Sequence, residues 1–389
     1  MKSNRISRNI PLMYAITFFQ GMVLYASIAS LFRQARGLTL AEYAVTDGFC
    51  YLFQLLFEIP FGLLADRIGY KKTLVVSNGF YLLSKVIFWR AFSFGSFLLE
   101  RLFFSIALAG LSGVDSSILY LSRGTQDSQK LFSWQSAFGT AGMLTGCLIF
   151  TLFLSHHYDA AALATVITYG IAFVLSFFIE DVHSEEPAEE KPSLRRLADI
   201  FAITKKDRKF LWFILGETLV SYGSWAVITL LSQNKYLALG MTEQHIGFMD
   251  IALSILALNT VFSAVLTKKL GFKGFMVLGM GVIAVSTITI GCTENVILFL
   301  ICITLVDLSQ NMLSPLISDL YSKRVTVSDR ATQLSVYAMI SELLSFGISF
   351  LMSAVSARTY SGSFLLCAGM AVTGIVLFAY CYRSEKNFA

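Results

Sequence analysis

The chain has 389 residues, 56% hydrophobic and 14% charged, with a mean hydropathy of +0.67 and a formal net charge of +5. That balance excludes a soluble globular domain. The basic residues fall in short segments between apolar runs, which excludes a nucleic-acid surface as the main business of the chain.

Apolar stretches of about twenty residues recur along nearly the whole sequence, each long enough to cross a bilayer. In chain order they predict twelve spans, at 10–32, 41–64, 73–92, 94–120, 133–154, 160–180, 210–232, 243–267, 274–292, 295–320, 331–354 and 361–382. The tightest reversals fall near Ser93 and at Thr293–Glu294. Lys2, Arg5 and Arg8 precede a first apolar run too long for a signal peptide, so it reads as a retained helix. With the N-terminus placed inside, 23 of the 30 Lys and Arg lie on the inner side. Arg33, Arg36, Arg90, Lys235 and Arg358 lie on the outer side, which puts both termini in the cytoplasm.

The chain repeats itself. GLLADRIGYKKTLVVS at 62–77 aligns with AVLTKKLGFKGFMVLG at 264–279, so that Gly69 meets Gly271 and Lys71 meets Lys273. SILYLSR at 117–123 aligns with SDLYSKR at 318–324. Two halves, 1–180 and 210–389, follow from this, joined by a polar segment at 181–209. That segment begins acidic and turns basic, and Leu194, Leu197, Ile200 and Phe201 fall at helical spacing, as in an amphipathic helix on the inner leaflet.

The six cysteines sit in apolar runs without ligand spacing and read as small buried hydrophobes. The four histidines form no metal or catalytic motif, and no phosphate-binding G-x-x-x-x-G-K-[ST] loop occurs. The expectation is therefore no enzyme, no metal and no cofactor. The lack of an N-x-[ST] sequon is consistent with a bacterial source.

The hairpin GLLADRIGYKK at 62–72 ties the second span to the third. Gly62 permits close helix approach, Gly69 a tight turn, and Lys71 and Lys72 anchor at the membrane surface. This pattern resembles the loop between spans two and three of the major facilitator superfamily of secondary transporters, with Gly62, Leu64, Asp66, Arg67, Gly69, Lys71 and Lys72 all in place. The resemblance implies an all-α membrane protein whose twelve transmembrane helices form two pseudo-symmetric six-helix bundles. It implies that Asp66 meets the start of the eleventh span near 329–333 when the inner side is shut, with Arg67 and Arg123 nearby. A carboxylate is stabilised at a helix N-terminus, so the gate is physically sensible.

Charged residues inside spans are expensive and call for a partner or a purpose. The candidates are Glu58, Lys85, Glu100, Arg101, Asp115, Glu217, Asp250, Asp307 and Glu342. At about 1.5 Å per residue, Asp307 and Glu342 lie near the midplane. Lys85 and Glu100 come out at similar depth and read as a structural ion pair or a functional one. By the layout of the resembled family, Arg101, Glu217, Asp307 and Glu342 face the transport route. Arg101 is similar to that family's span-four arginine, though Ser105 stands where a glycine is usual. Tyr14, Gln20, Tyr25, Tyr222, Trp225 and Asn311 fill out an aromatic and polar wall. The structural alternative for Asp307 is a hydrogen bond to Asn311, one turn on, that steadies the helix near Pro315. In span five, Gly139, Gly142 and Gly146 allow close packing, expected against span eight. They resemble part of the glycine-rich signature of drug antiporters, without its proline.

Seven acids against two bases suit a lipophilic cation. The composite expectation is a proton-coupled exporter of amphiphilic, cationic small molecules, of the multidrug type, working by alternating access. An importer or a transporter of lipid-like solutes on the same fold is the alternative. A scaffold that no longer transports is a third class, against which the intact Asp66 argues. The expected partners are a small-molecule substrate, protons and membrane lipid. The expected setting is a monomer in a bacterial plasma membrane.

Overall fold

A computed structural model of the chain describes residues 8–123, 127–182, 207–257, 262–324 and 330–384, apart from some side chains within these ranges. The predicted linker helix at 194–201 lies outside the described residues, as do Asp329 and the side chains of 330–332 at the start of the eleventh span.

The described chain is helical throughout. The helices are α1 (Asn9–Gly21), α2 (Ala29–Ala35), α3 (Leu40–Ile68), α4 (Tyr70–Arg90), α5 (Phe94–Leu111), α6 (Val114–Ser122), α7 (Ser128–Ile149) and α8 (Tyr158–Phe177). They continue as α9 (Arg208–Trp225), α10 (Ser232–Ala238), α11 (Glu243–Ala257), α12 (Phe262–Cys292), α13 (Val296–Arg324), α14 (Arg330–Ser356) and α15 (Tyr360–Ser384). Allowing for the breaks inside spans, this is the predicted order, and the fold is that of twelve transmembrane helices in two six-helix bundles.

Among the described residues, nine helices are both long and apolar enough to cross a membrane on composition alone. Of the remaining three, α3 carries Glu42, Asp47, Glu58 and Arg67, and α4 carries Lys71, Lys72, Lys85 and Arg90. α11 is described only as far as Ala257.

Packing gathers the chain into two compact units. Unit one holds the described parts of Met1–Leu38, Phe49–Ala188 and Met241–Ile251. Unit two holds those of Thr39–Gly48, Glu189–Gly240 and Ala252–Ala389.

The short turns are closed by side chains. Ser93 and Ser96 form a reciprocal cap at the start of α5. The Asn295 side chain accepts from the Leu298 amide at 3.1 Å. Thr39 and Glu42 cap α3, and Thr242 and His245 make the matching arrangement before α11. Gly37 and Gly240, just upstream of those two caps, both have positive φ.

Two spans of unit one are broken. Between α1 and α2 the chain leaves the helix at Met22–Tyr25, and α8 satisfies the freed backbone. Thr165 Oγ1 accepts from the Leu24 amide at 3.0 Å, Thr168 Oγ1 donates to the Met22 carbonyl at 3.1 Å, and the Tyr169 hydroxyl donates to the Gln20 carbonyl at 2.7 Å. Backbone opened at membrane depth needs such partners, because lipid supplies none. The other break lies between α5 and α6, at Gly113 with φ of 77°. Wide π turns follow α7 and α9, at Phe150–Leu154 and Ala226–Leu231.

Glycines set the closest approaches. A Cβ on Gly142 would collide with the Phe18 carbonyl, one on Gly146 would lie 3.2 Å from Met22 Cα, and one on Gly21 would strike the Gly139 carbonyl. The glycines of α7 thus seat on α1, within unit one, rather than on span eight as expected. The span-eight glycine Gly247 instead meets Thr151. In unit two, Gly216 of α9 and Gly374 of α15 bring two backbones together in the same way.

Candidate functional site

In unit one, four charged side chains are buried together. Arg33, Lys85, Glu100 and Arg101 are 2%, 4%, 1% and 8% exposed. Glu100 Oε2 lies 3.5 Å from Arg33 Nη2 and 3.6 Å from Arg101 Nε. Arg33 was read from the sequence as an outer-segment residue. It is buried because α2 resumes after the break in the first span and carries it back into the helical packing. Its guanidinium lies 4.7 Å from the centre of the Phe88 ring and 5.7 Å from that of Phe97.

Lys85 does not pair with Glu100, the arrangement that similar depth had suggested. Its Nζ donates to the Tyr25 hydroxyl at 3.1 Å and lies 4.9–5.6 Å from the centroids of Tyr25, Tyr81, Phe104 and Tyr169. Tyr25 is itself stacked on Phe88 at 4.0 Å. Arg101 sits over Phe104 at 5.5 Å, and Ser105, one turn on, donates to the Cys50 carbonyl of α3 at 3.0 Å. The serine thus ties two helices where a glycine would only let them touch. Gln20 donates to Asn78 at 2.6 Å, and the Tyr14 hydroxyl donates to the Leu131 carbonyl at 3.2 Å, so both knit unit one together.

In unit two the expected acids are spread along three helices. Glu217 of α9 is partly buried, and among the described residues its partners are uncharged. Ser221 Oγ donates to Oε1 at 2.7 Å, and the Tyr321 hydroxyl donates to Oε2 at 3.3 Å. Gln310 Nε2 donates to the same Ser221 oxygen at 3.0 Å, so one hydrogen-bonded chain links α9 to α13. Asp307, three residues before Gln310, accepts from Asn311 at 3.0 Å, the bond one turn on that the sequence offered as its structural reading. Among the described residues no hydrogen bond joins Glu217 to Asp307. Tyr222 is buried with its ring 5.6 Å from that of Trp225, which in turn meets Tyr43 edge-on at 6.5 Å. Glu342 is partly buried on α14.

The hairpin is a one-residue break. Gly69 has φ of 90° and ψ of 156°, and α4 begins at once. Arg67 is exposed and Lys71 half-buried. Arg123 lies over the Tyr120 ring at 3.9 Å. The surroundings of Gly62 and the side chain of Asp66 lie outside the described residues, as does the facing segment at 325–329.

Sequence reasoning missed Arg33, Tyr81, Tyr169, Gln310, Tyr321 and Asp47. Asp47 is 8% exposed in the span that begins at Leu40. Its signal was in plain view, since it is an acid within an apolar run.

Comparison with known proteins agrees with this architecture. Residues 12–233, more than half of the chain, match the family model of the Major Facilitator Superfamily. No curated protein matches the chain. Among solved structures, the nucleoside transporter NupG is similar at a TM-score of 0.76 and 14% identity, covering 97% of this chain and 100% of that one. A bacterial homolog of the human lysosomal transporter Spinster, in an inward-facing and unoccupied conformation, gives 0.73 and 14%, over 99% and 97%. A D-xylose–proton symporter gives 0.67 and 14%, over 97% of both chains. At such identities the likeness speaks for the fold, and the family match carries the assignment: the chain belongs to the Major Facilitator Superfamily of transporters.

Proposed function

We propose that the protein is a proton-coupled secondary transporter that exports an amphiphilic organic ion across a bacterial plasma membrane by alternating access, as a monomer with both termini in the cytoplasm. The observation that carries proton coupling is Glu217. A carboxyl inside a span, held by two hydroxyl groups and paired with no described cation, suits a group that is neutral when shut away from water and ionised when wetted. Ser221, Gln310 and Tyr321 keep it in one orientation through that change. Asp307 and Glu342 are further proton-route candidates of the same unit, and Arg101 is one of unit one. Export is favoured by the glycine run at Gly139, Gly142 and Gly146, which resembles part of the drug-antiporter signature.

Asp66 latches the inner side against the start of the eleventh span, with Gly62, Arg67, Gly69, Lys71 and Arg123 shaping the hairpin. The support for it is the sequence pattern, together with the tight turn at Gly69.

The test is a dye and drug accumulation panel in an efflux-deficient bacterial host. Expression should lower accumulation of at least one amphiphilic ion, an uncoupler should abolish the effect, and Glu217→Gln should do the same with expression intact. Efflux that survives the uncoupler, or a fully active Glu217→Gln, would remove proton coupling through this residue.

A further inference from the structure

Lys85 is the least conventionally satisfied cation among the buried charges of unit one. An ammonium has three donors. Here one finds the Tyr25 hydroxyl, and the other neighbours are the faces of aromatic rings. The nearby carboxylate, Glu100, is engaged by Arg33 and Arg101. Ring faces attract a cation, but they return less than its burial costs, so a counter-anion would find the position prepared.

A cavity of about 410 Å³ lies against that cage, within unit one. Its walls include Gln20, Ser136, Thr140, Met143, Tyr81 and Tyr169. The last two are the same rings that cover Lys85, packed edge to face at 4.6 Å. The volume suits a small organic molecule, and the lining is mainly apolar with a few hydroxyl and amide groups. Among the described residues no Asp or Glu lines it. A cationic guest would therefore meet no carboxylate and would sit one ring away from a buried ammonium. An anionic guest would sit on the other side of Tyr81 and Tyr169 from Lys85, whose Nζ lies 5.1 and 4.9 Å from those two ring centres, and would be attracted by the ammonium.

We infer that this cavity takes the flat apolar body of a small aromatic carboxylate, with Lys85 behind Tyr81 and Tyr169 selecting its negative charge. The inference gives the transported ion its sign, opposite to the sign suggested by counting acids along the sequence. It rests on the transport reading for its physiological meaning only.

The experiment is equilibrium binding to the purified full-length protein in detergent, with two probes of one shape and opposite charge: 2-naphthoate and 2-naphthylmethylammonium. The expected result is at least tenfold tighter binding of the naphthoate. Lys85→Met should erase that preference, Lys85→Arg should retain it, and Thr140→Trp, which fills the cavity, should weaken both probes. Tighter binding of the ammonium probe, equal binding of the two, or no measurable naphthoate binding would overturn the inference. So would an unchanged preference in a folded Lys85→Met protein. The wild-type comparison stands even where a variant does not fold. No gradient enters the measurement, so proton coupling and anion selection fail or succeed separately. A protein that binds naphthoate without proton-dependent efflux keeps the second and loses the first.

Discussion

Gly69 and Gly271 break their helices with nearly the same backbone geometry: φ of 90° and ψ of 156° at the first, φ of 72° and ψ of 158° at the second. The sequence repeat had placed these two glycines in register, and each now marks the one-residue reversal between the second and third helix of its half. The region they occupy is essentially closed to residues with a Cβ.

Steric room is not what excludes alanine there. A Cβ on Gly271 would meet no described atom within 4 Å, and one on Gly69 only the Asp181 carboxylate at 3.8 Å. The penalty is conformational, about 1–3 kcal/mol for each position. Gly69→Ala and Gly271→Ala should each lower the melting temperature of the purified protein. Gly347→Ala, in mid-helix with open space around it, should not. Equal melting temperatures for all three variants would contradict the strain argument.

Gly142 is a different kind of glycine. Its Cβ would run into the Phe18 carbonyl, a backbone atom that cannot rotate away. Gly142→Ala should therefore force α7 off α1 and destabilise by about 1–3 kcal/mol, the usual range for overpacking. Gel-filtration recovery after heating would show it, with Gly347→Ala again as the reference.

Glu100 holds two guanidinium groups in the interior of unit one. Glu100→Gln keeps the shape and removes the charge that Arg33 and Arg101 share. Breaking a buried pair from one side costs about 3–5 kcal/mol. The expected outcome is a large loss of folded protein from membranes, measured by fluorescence-detected chromatography of a tagged version. A variant that folds like the wild type would mean that other groups carry those cations.

Tyr321 tests the proton site without touching the carboxyl. Tyr321→Phe removes one donor to Glu217 and leaves the ring that packs on Phe210 and Phe213. A hydrogen bond to a charged acceptor is worth about 1.5–3 kcal/mol, so proton-driven efflux should fall by about tenfold or more while the protein stays folded. Uncoupler-sensitive efflux at the wild-type rate would show that Tyr321 does not hold the carboxyl in its working form.

Asp66→Asn addresses the hairpin. The expected result is normal expression with transport reduced by about tenfold or more, on the reading that a carboxylate at a helix N-terminus stabilises one closed state by about 1–2 kcal/mol. Efflux at the wild-type rate would reject the latch and leave the hairpin as a topological anchor through Lys71 and Lys72.

Span order was legible because length and hydropathy respond to the bilayer, and the glycine of each reversal was legible because few other residues fit it. Which face of a span looks inward was not. Lipid and protein interior are both apolar, so the periodicity that marks a buried face in water is flattened here. That is why the glycines of α7 were assigned to the wrong neighbour, although their spacing was read correctly. Arg33 was misplaced for another reason. An arginine near the end of an apolar run looks like a loop residue, and nothing local announces that the helix breaks at Met22 and resumes at Ala29. Lys85 and Glu100 share a depth, but depth leaves rotation about the helix axis free, and rotation decided which cation met the acid.

The glycine seams carry a last implication for how such a molecule can move. Where Gly142 rides on Phe18 and Gly216 on Gly374, main chain lies on main chain, with no side-chain torsion between to absorb a slip. Helices fastened in this way turn together or not at all. Any large rearrangement must then carry α1 with α7, and α9 with α15, as fixed pairs, and the compliance has to come from outside those seams.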